Sequence, residues 1–278
     1  MIKEGYSRKL REVSKLEEIT LKPVGIVRSE YEDVLGIPIG GNQAIIEVFP
    51  EYQEALLRIE ANSHLWIISW FHKARREQLS TVPARVNPDL PVYGVFGLRA
   101  PARPNPLGLS LVRLEAREGN ILRVSGLDAV DGTPILDIKS YFENDIIFSP
   151  LTPYIRPQKL AMRREMFMKQ ALNHHQEECP GLWLGVRMAL AAEERLGHLN
   201  QPSLRVKTVG TPCLADTIQG LTRARLANPP RFSYQESEAP FRTVWEKDGQ
   251  LITIETRRDI TRDEFEKSSD AELFQIQE

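Results

Sequence analysis

Two cysteines in 278 residues exclude a disulfide framework and suit a reducing compartment. No apolar run approaches the roughly 18 residues of a membrane-spanning helix. The opening stretch MIKEGYSRKLREVSKLEEIT is charged throughout and lacks the apolar centre of a secretory signal. The expected setting is the cytoplasm, with no membrane partner, and residues 1–20 read as an extension ahead of the first domain. The succession of strand, Gly-x-Gly turn and helix that marks the usual nucleotide fold is missing too. Charge of one sign is also scarce, because the formal net charge is only -2. Its distribution is uneven, however. From Lys73 to Arg123 nine basic residues stand against four acidic ones, a local excess of about five positive charges that can steer a polyanion.

What is present is a globular composition, 41% apolar, on a chain long enough for two domains. The first half reads as β. Runs rich in Val, Ile and aromatics occupy 21–29, 43–49, 64–71, 92–98, 109–116, 121–127 and 135–141, separated by Gly, Pro, Asn and Asp. Glu118-Gly119-Asn120 has the composition of a hairpin turn, and Ala55, Leu56 and Ile59 share a face of one expected helix over Glu51–Ile59. Many short strands with few helices predict an all-β barrel or sandwich over residues 21–150. A proline-rich linker follows at 151–164. Beyond it, residues 165–278 read as a smaller α+β domain. Its expected parts are helices up to about Leu196 and from Pro212 to Ala224, a strand at 204–209, a hairpin turning at Asp248-Gly249, and a capping box from Thr261 to Glu264.

Two segments of the first half carry chemistry. In GVFGLRAPARPNPLGLS (94–110), Pro101, Pro104 and Pro106 fix φ at three of six positions, so Arg99 and Arg103 project from a stiff loop. Guanidinium groups suit carboxylates and phosphates. Asn105 offers both a donor and an acceptor, and Gly108 permits close backbone approach. In GLDAVDGTPILDIKSY (126–141), Asp128, Asp131 and Asp137 can accept from a ribose diol, hold an amine or act as a base. Asp137, Lys139 and Tyr141 alternate along a strand and share one face, with Leu136 and Ile138 on the other. His72 is a further base candidate, read first as a structural histidine.

These two segments resemble the TrmO family, S-adenosylmethionine-dependent methyltransferases that act on tRNA and have a β-barrel of the TsaA type. The family pattern runs approximately GVFATRSPxRPNPIGLS and GLDxxDGTPVLDIKPY, and the likeness covers 22 to about 150, including Ser63–Trp66 and Phe71-His72. It implies methyl transfer to N6 of threonylcarbamoyladenosine, the modified adenosine beside the anticodon, in a homodimer whose site lies near the subunit interface. It places Arg99, Arg103, Asn105, Pro106, Gly108, Ser110, Asp128, Thr133 and Lys139 around the methyl donor, with Asp131 and Asp137 as candidate bases and Tyr141 as a weaker one. Departures occur at Gly97-Leu98, Ala100 and Ser140, where the family carries Ala-Thr, Ser and Pro.

A second constellation lies in the second half. His175, Glu177 and Cys179 alternate ahead of Pro180-Gly181, and all three residue types ligate zinc or iron. Pro180 suits a first helical position, which sets Cys179 at a positive helix end that favours its thiolate. Thr211-Pro212-Cys213 partly repeats the layout, with Asp216 and Gln219 following. Residues 165–262 resemble the FmdE family, named for formylmethanofuran dehydrogenase, whose pattern is H-G-H-x-C-P-G and then C-x-x-D-A-I-Q. Glu177 replaces the second His of that pattern and Thr217 its Ala. Two other readings of the chain remain beside the methyltransferase: an S-adenosylmethionine-binding sensor, and a metal-dependent protein of one-carbon metabolism working through the C-terminal domain.

Overall fold

The computed structural model describes residues 18–38 and 40–278. Among the described residues, the first half forms strands β1 (Gly25–Arg28), β2 (Asn42–Val48), β3 (His64–Trp70), β4 (Ser80–Thr81), β5 (Tyr93–Gly94), β6 (Leu107–Glu118), β7 (Ile121–Leu127) and β8 (Pro134–Ser140). Six of them close into an antiparallel barrel in the order β1-β2-β7-β6-β3-β8, which leaves no free edge. The period-two pattern of the sequence sets its inside. Leu65 and Ile67 of β3, Val112 of β6, Leu122 and Val124 of β7, Ile46 of β2 and Ile135 of β8 fill the core. The β6–β7 hairpin turns at Gly119-Asn120, where Gly119 has φ +63°.

Two expected elements take other forms. Residues 51–59 do not make one α-helix. A 3-10 helix over Pro50–Leu56 ends before Arg58, which has φ 64°, and a second short one follows over Ile59–Ala61. Only Leu56 of this segment is buried, so one apolar anchor does not sustain a longer helix. The expected strand 92–98 shrinks to β5, paired with β4 rather than with the barrel, and Val95–Gly97 turns as a 3-10 helix after Gly94. Gly94 and Gly97 interrupt the run that Val92 and Val95 suggest.

The second half has helices α1 (Leu160–His175), α2 (Pro180–Leu196), α3 (Pro212–Thr222), α4 (Arg262–Lys267) and α5 (Asp270–Leu273). Strands β9 (Arg205–Gly210), β10 (Phe232–Glu236), β11 (Phe241–Lys247), β12 (Gln250–Thr256) and β13 (Gln275–Gln277) form a sheet in the order β10-β9-β11-β12-β13. The Asp248-Gly249 turn has φ 51° and 84°, as a two-residue hairpin of that composition requires. The Thr261 capping box opens α4 as its spacing predicts. Trp245, Met188, Leu182 and Ile218 belong to one core between helices and sheet. Residues 80–98 group with this half: the described residues up to Leu79 with Arg99–Asp145 form one compact unit, and Ser80–Leu98 with Ile146–Glu278 the other.

Within the second unit the 154–163 segment is anchored by charge. Glu193 of α2 is 2% exposed and accepts from Tyr154 Oη, Arg156 Nε at 2.8 Å and Arg163 Nη1 at 2.9 Å. Burial first, then the hydrogen bond to Glu193, pushes the Tyr154 phenol far above its usual range.

Candidate active site

The antiparallel register brings three loops to one end of the barrel. β3 finishes at Trp70 opposite Leu107, the first residue of β6, and Ser69 pairs with Ile135 at the start of β8. β7 finishes at Leu127 opposite Asn42, the first residue of β2. Residues 29–38, 71–79, 99–106 and 128–133 therefore emerge together, and hydrogen bonds link them. Arg103 N–H donates to Arg75 O at 3.1 Å, Lys73 Nζ to Glu32 O at 2.7 Å, and Asp131 N–H to Tyr31 O at 2.8 Å. Gly132 N–H ties the last of these segments to Val27 O of β1 at 2.9 Å.

Each expected site residue has a definite place in this frame. Arg99 is exposed on the proline-arginine loop, and it forms no hydrogen bond or ion pair among the described residues. Arg103 is half-buried and its Nε donates to Ala100 O at 2.7 Å, which fixes the loop from within. Asn105 is exposed; its carbonyl accepts from Leu107 N–H at 2.7 Å. Pro106 is buried, its carbonyl accepting from Phe71 N–H at 2.8 Å. Gly108 does allow a close approach, but of protein rather than ligand: a Cβ there would lie 2.4 Å from Ser69 Oγ and 2.5 Å from Phe71 Cζ. Ser110, buried in the barrel, donates a short hydrogen bond to Asp128, which is exposed at the end of β7. Asp131 Oδ1 accepts from Ser29 N–H at 3.1 Å, and Asn42 Nδ2 donates to Ser29 Oγ at 3.2 Å.

The same end holds buried oxygens that lack partners. Ser69 Oγ, Thr133 Oγ1 and Asn42 Oδ1 are all buried and make no hydrogen bond among the described residues. An unsatisfied buried polar atom costs about 1–3 kcal/mol, so three near one loop cluster ask for an explanation that a polar ligand would supply. His72 lies exposed on this rim, directly after Phe71. Partial burial first, then Lys73, holds its imidazole below the usual value, so it is neutral and able to accept a proton at pH 7. Lys73, Arg75, Arg76 and Arg99 are exposed around this rim, and Arg76 stacks 4.6 Å over the Trp70 ring.

Asp137, Lys139 and Tyr141 do not join this cluster. Asp137 and Lys139 lie on the outside of β8, paired with each other at 2.8 Å and set beside Ile68 and Trp66 of β3. The expected sharing of a face by Asp137 and Lys139 is thus on the outer wall, where both side chains are exposed. Tyr141 N–H donates to His64 O at the start of β3, the length of that strand away from the loops, about 20 Å at ~3.3 Å per residue. A cavity of about 330 Å³ also lies at this far end, between β1, β8 and the 3-10 segment, with Tyr52, Leu65 and Asp137 in its wall. Its wall includes Arg58 but none of the arginines of the 71–106 segment.

In the second unit the structure brings His175 and Cys179 together with Cys213, while Glu177 is exposed. His175 Nε2 is 3.3 Å from Cys179 Sγ, and its Nδ1 is 2.7 Å from Asp216 Oδ2. Cys179 is the N-cap of α2 and Pro180 its first residue, as the sequence predicts. Burial first, then the neighbouring Cys179, raises the Cys213 thiol.

Comparison with known proteins agrees with this division. The tRNA-methyltransferase O N-terminal domain family matches residues 26–145, and the family described as FmdE, Molybdenum formylmethanofuran dehydrogenase operon, matches residues 174–272. A probable S-adenosyl-L-methionine-binding protein of Archaeoglobus fulgidus is 31% identical over 92% of this chain and 72% of its own length. One of Methanothermobacter thermautotrophicus is 45% identical over 46% of this chain and 93% of its own. A tRNA (adenine(37)-N6)-methyltransferase of Mus musculus is 32% identical over 52% of this chain, but only 33% of its own length is covered. No helix among the described residues is long and apolar enough to cross a membrane.

Proposed function

The chain belongs to the TrmO family of S-adenosylmethionine-binding methyltransferases, joined to an FmdE domain, and we propose that it methylates N6 of threonylcarbamoyladenosine in cytoplasmic tRNA as a homodimer. The observation that supports this reading is the set of three hydrogen-bonded loops at one barrel end, with an arginine outside and oxygens inside that make no hydrogen bond among the described residues. These groups fit S-adenosylmethionine. Its carboxylate suits Arg99, its ribose diol suits Asp128, and its amine and hydroxyl donors suit Asn42 Oδ1, Ser69 Oγ and Thr133 Oγ1.

The bound donor supplies a methyl group already activated on a sulfonium, so the protein's task is alignment and proton handling. The N6 nitrogen of a carbamoylated adenine is a weak nucleophile because its lone pair is delocalised. As the N–CH₃ bond forms and the S–CH₃ bond breaks, the N6 proton has to leave. Asp131 suits that role: Ser29 N–H holds one carboxylate oxygen at 3.1 Å, and the other accepts no hydrogen bond among the described residues. The exposed cations Lys73, Arg75 and Arg76 beside the loops suit the phosphates of the RNA.

The dimer rests on the outer face of β3 and β6. Trp66, Ile68 and Trp70 pair across the strands with Leu111, Leu109 and Leu107, so six apolar residues face outward from the barrel. The three leucines are 39–48% exposed. A patch of this kind on a barrel wall fits a two-fold partner, which meets it with the same strands. The experiment that tests the reading supplies labelled S-adenosylmethionine and tRNA with or without threonylcarbamoyladenosine. Label should enter only the modified RNA. Binding of the donor with no label in either RNA would instead favour a sensor.

A further inference from the structure

The cavity at the far end of the barrel is not used by the methyl-transfer reading. It arises because β1 is too short to cover β8. The two strands pair only at Gly25–Ile135 and Ile26–Pro134, with Val24 N–H donating to Ile135 O at 2.8 Å. From Asp137 to Ser140, β8 therefore has β3 on one flank and, among the described residues, no strand on the other. The chain that leaves β2 passes this gap as the 3-10 turns Pro50–Leu56 and Ile59–Ala61. Only Leu56 of these turns is buried, so they border the gap without filling it, and about 330 Å³ stays open.

A small closed barrel packs such space with its own side chains. Here Val48, Leu56, Leu65 and Ile138 supply apolar wall, while Tyr52, Arg58 and Ser140 bring polar groups to it. Those groups are uncommitted. Among the described residues, the Arg58 guanidinium and the Tyr52 and Ser140 hydroxyls make no hydrogen bond or ion pair. The one carboxylate of the lining is already engaged, because Asp137 pairs with Lys139 Nζ at 2.8 Å and accepts from Ile138 N–H at 2.9 Å. Arg58 also has φ 64° and ψ 20°, a left-handed conformation that glycine takes freely and arginine only at a cost. A turn alone would be served better by glycine or asparagine. A strained backbone that presents the cavity's single cation is the arrangement of a ligand clamp.

We propose that this cavity binds a small organic carboxylate with an apolar body, its charge on Arg58, its body against Val48, Leu56, Leu65 and Ile138, and its oxygens completed by Tyr52 and Ser140. The planar guanidinium matches a carboxylate through two parallel hydrogen bonds. One cation suits one negative charge, whereas a phosphate dianion would ask for more. The volume is near the lower end of ligand pockets, about 300–1,000 Å³, which limits the body to a short chain or a single ring system. The methyl-donor loops emerge at the opposite end of the barrel, so the two ligands have separate sites.

The test titrates the full chain with octanoate and, in parallel, with octanamide, which has the same chain and no charge, by calorimetry and methyl NMR. One octanoate should bind per chain and move the Ile59 and Ile138 methyl signals, both of which line the cavity. Octanamide should bind about 10-fold more weakly or worse. R58Q should bring octanoate down to the level of octanamide, and A55W, which sets a large ring in the lining, should block both. S-adenosylmethionine should bind equally well with octanoate present or absent. No saturable octanoate binding, equal binding of acid and amide, or an R58Q chain that takes octanoate as the wild type does would each overturn the site. So would displacement of octanoate by S-adenosylmethionine, which would put the methyl donor in this cavity instead.

Discussion

At the scale of single residues, the sequence reveals which side chains matter more readily than what each of them does. Gly108 illustrates the difference. Its place in the motif is legible, yet the close approach it permits is that of Ser69 and Phe71. Gly108→Ala should therefore cost about 1–3 kcal/mol of stability through overpacking, measured by denaturant unfolding. The aspartates divide in the same way. Asp131 sits at the rim with one oxygen held, whereas Asp137 is bound to Lys139 on the outer wall. Asp131→Asn should lower kcat by about 100-fold or more with donor affinity little changed, and Asp137→Asn by far less. A larger loss in kcat for Asp137→Asn would reverse the assignment. Cys213 was not legible as a neighbour of Cys179, because it is the close packing of α2 on α3 at Gly181 and Gly185 that brings the two distant stretches together. Spacing within one stretch pointed to Glu177 instead.

At the scale of elements, period-two alternation identified all six barrel strands, because each buries one face against a single core. The helical face expected at 51–59 and the strand expected at 92–98 did not form as such, because apolar residues recur there without a partner surface that sustains a helix or a barrel strand. The α+β order of the second half was legible from caps and turns, while the parallel partner β10 was not, since its residues beyond Phe232 are exposed and carry no burial pattern. The anchoring of 154–163 to α2 sets a further expectation. Glu193→Ala would leave buried Arg163 with only the more exposed Glu194 as counter-charge and should cost up to roughly 3 kcal/mol in unfolding experiments. The hydrogen bond from Arg163 holds the Glu194 carboxyl below its usual value of 4.5. Its contribution is thus complete above that value and is lost as pH falls through the lowered one. The thermal midpoint should drop as pH is lowered below 4.5, and Glu194→Gln should flatten that drop.

At the scale of the whole molecule, the chain joins a methyl-donor barrel to a helix-and-sheet unit of different ancestry. The barrel's outer stripe of Leu107, Leu109 and Leu111 makes a definite claim about assembly. Leu109→Asp should convert the proposed dimer to a monomer in sedimentation experiments while the barrel remains folded by circular dichroism. Salt should weaken RNA binding steeply, as expected for contacts made by several lysines and arginines. The most direct measurement of the central claim is transfer of a labelled methyl group from S-adenosylmethionine to tRNA that carries or lacks threonylcarbamoyladenosine. Label at N6 of the modified adenosine, absent from the unmodified RNA and lost in Asp131→Asn, is the predicted result. Equal labelling of both RNAs, or none in either while the donor binds, would contradict it.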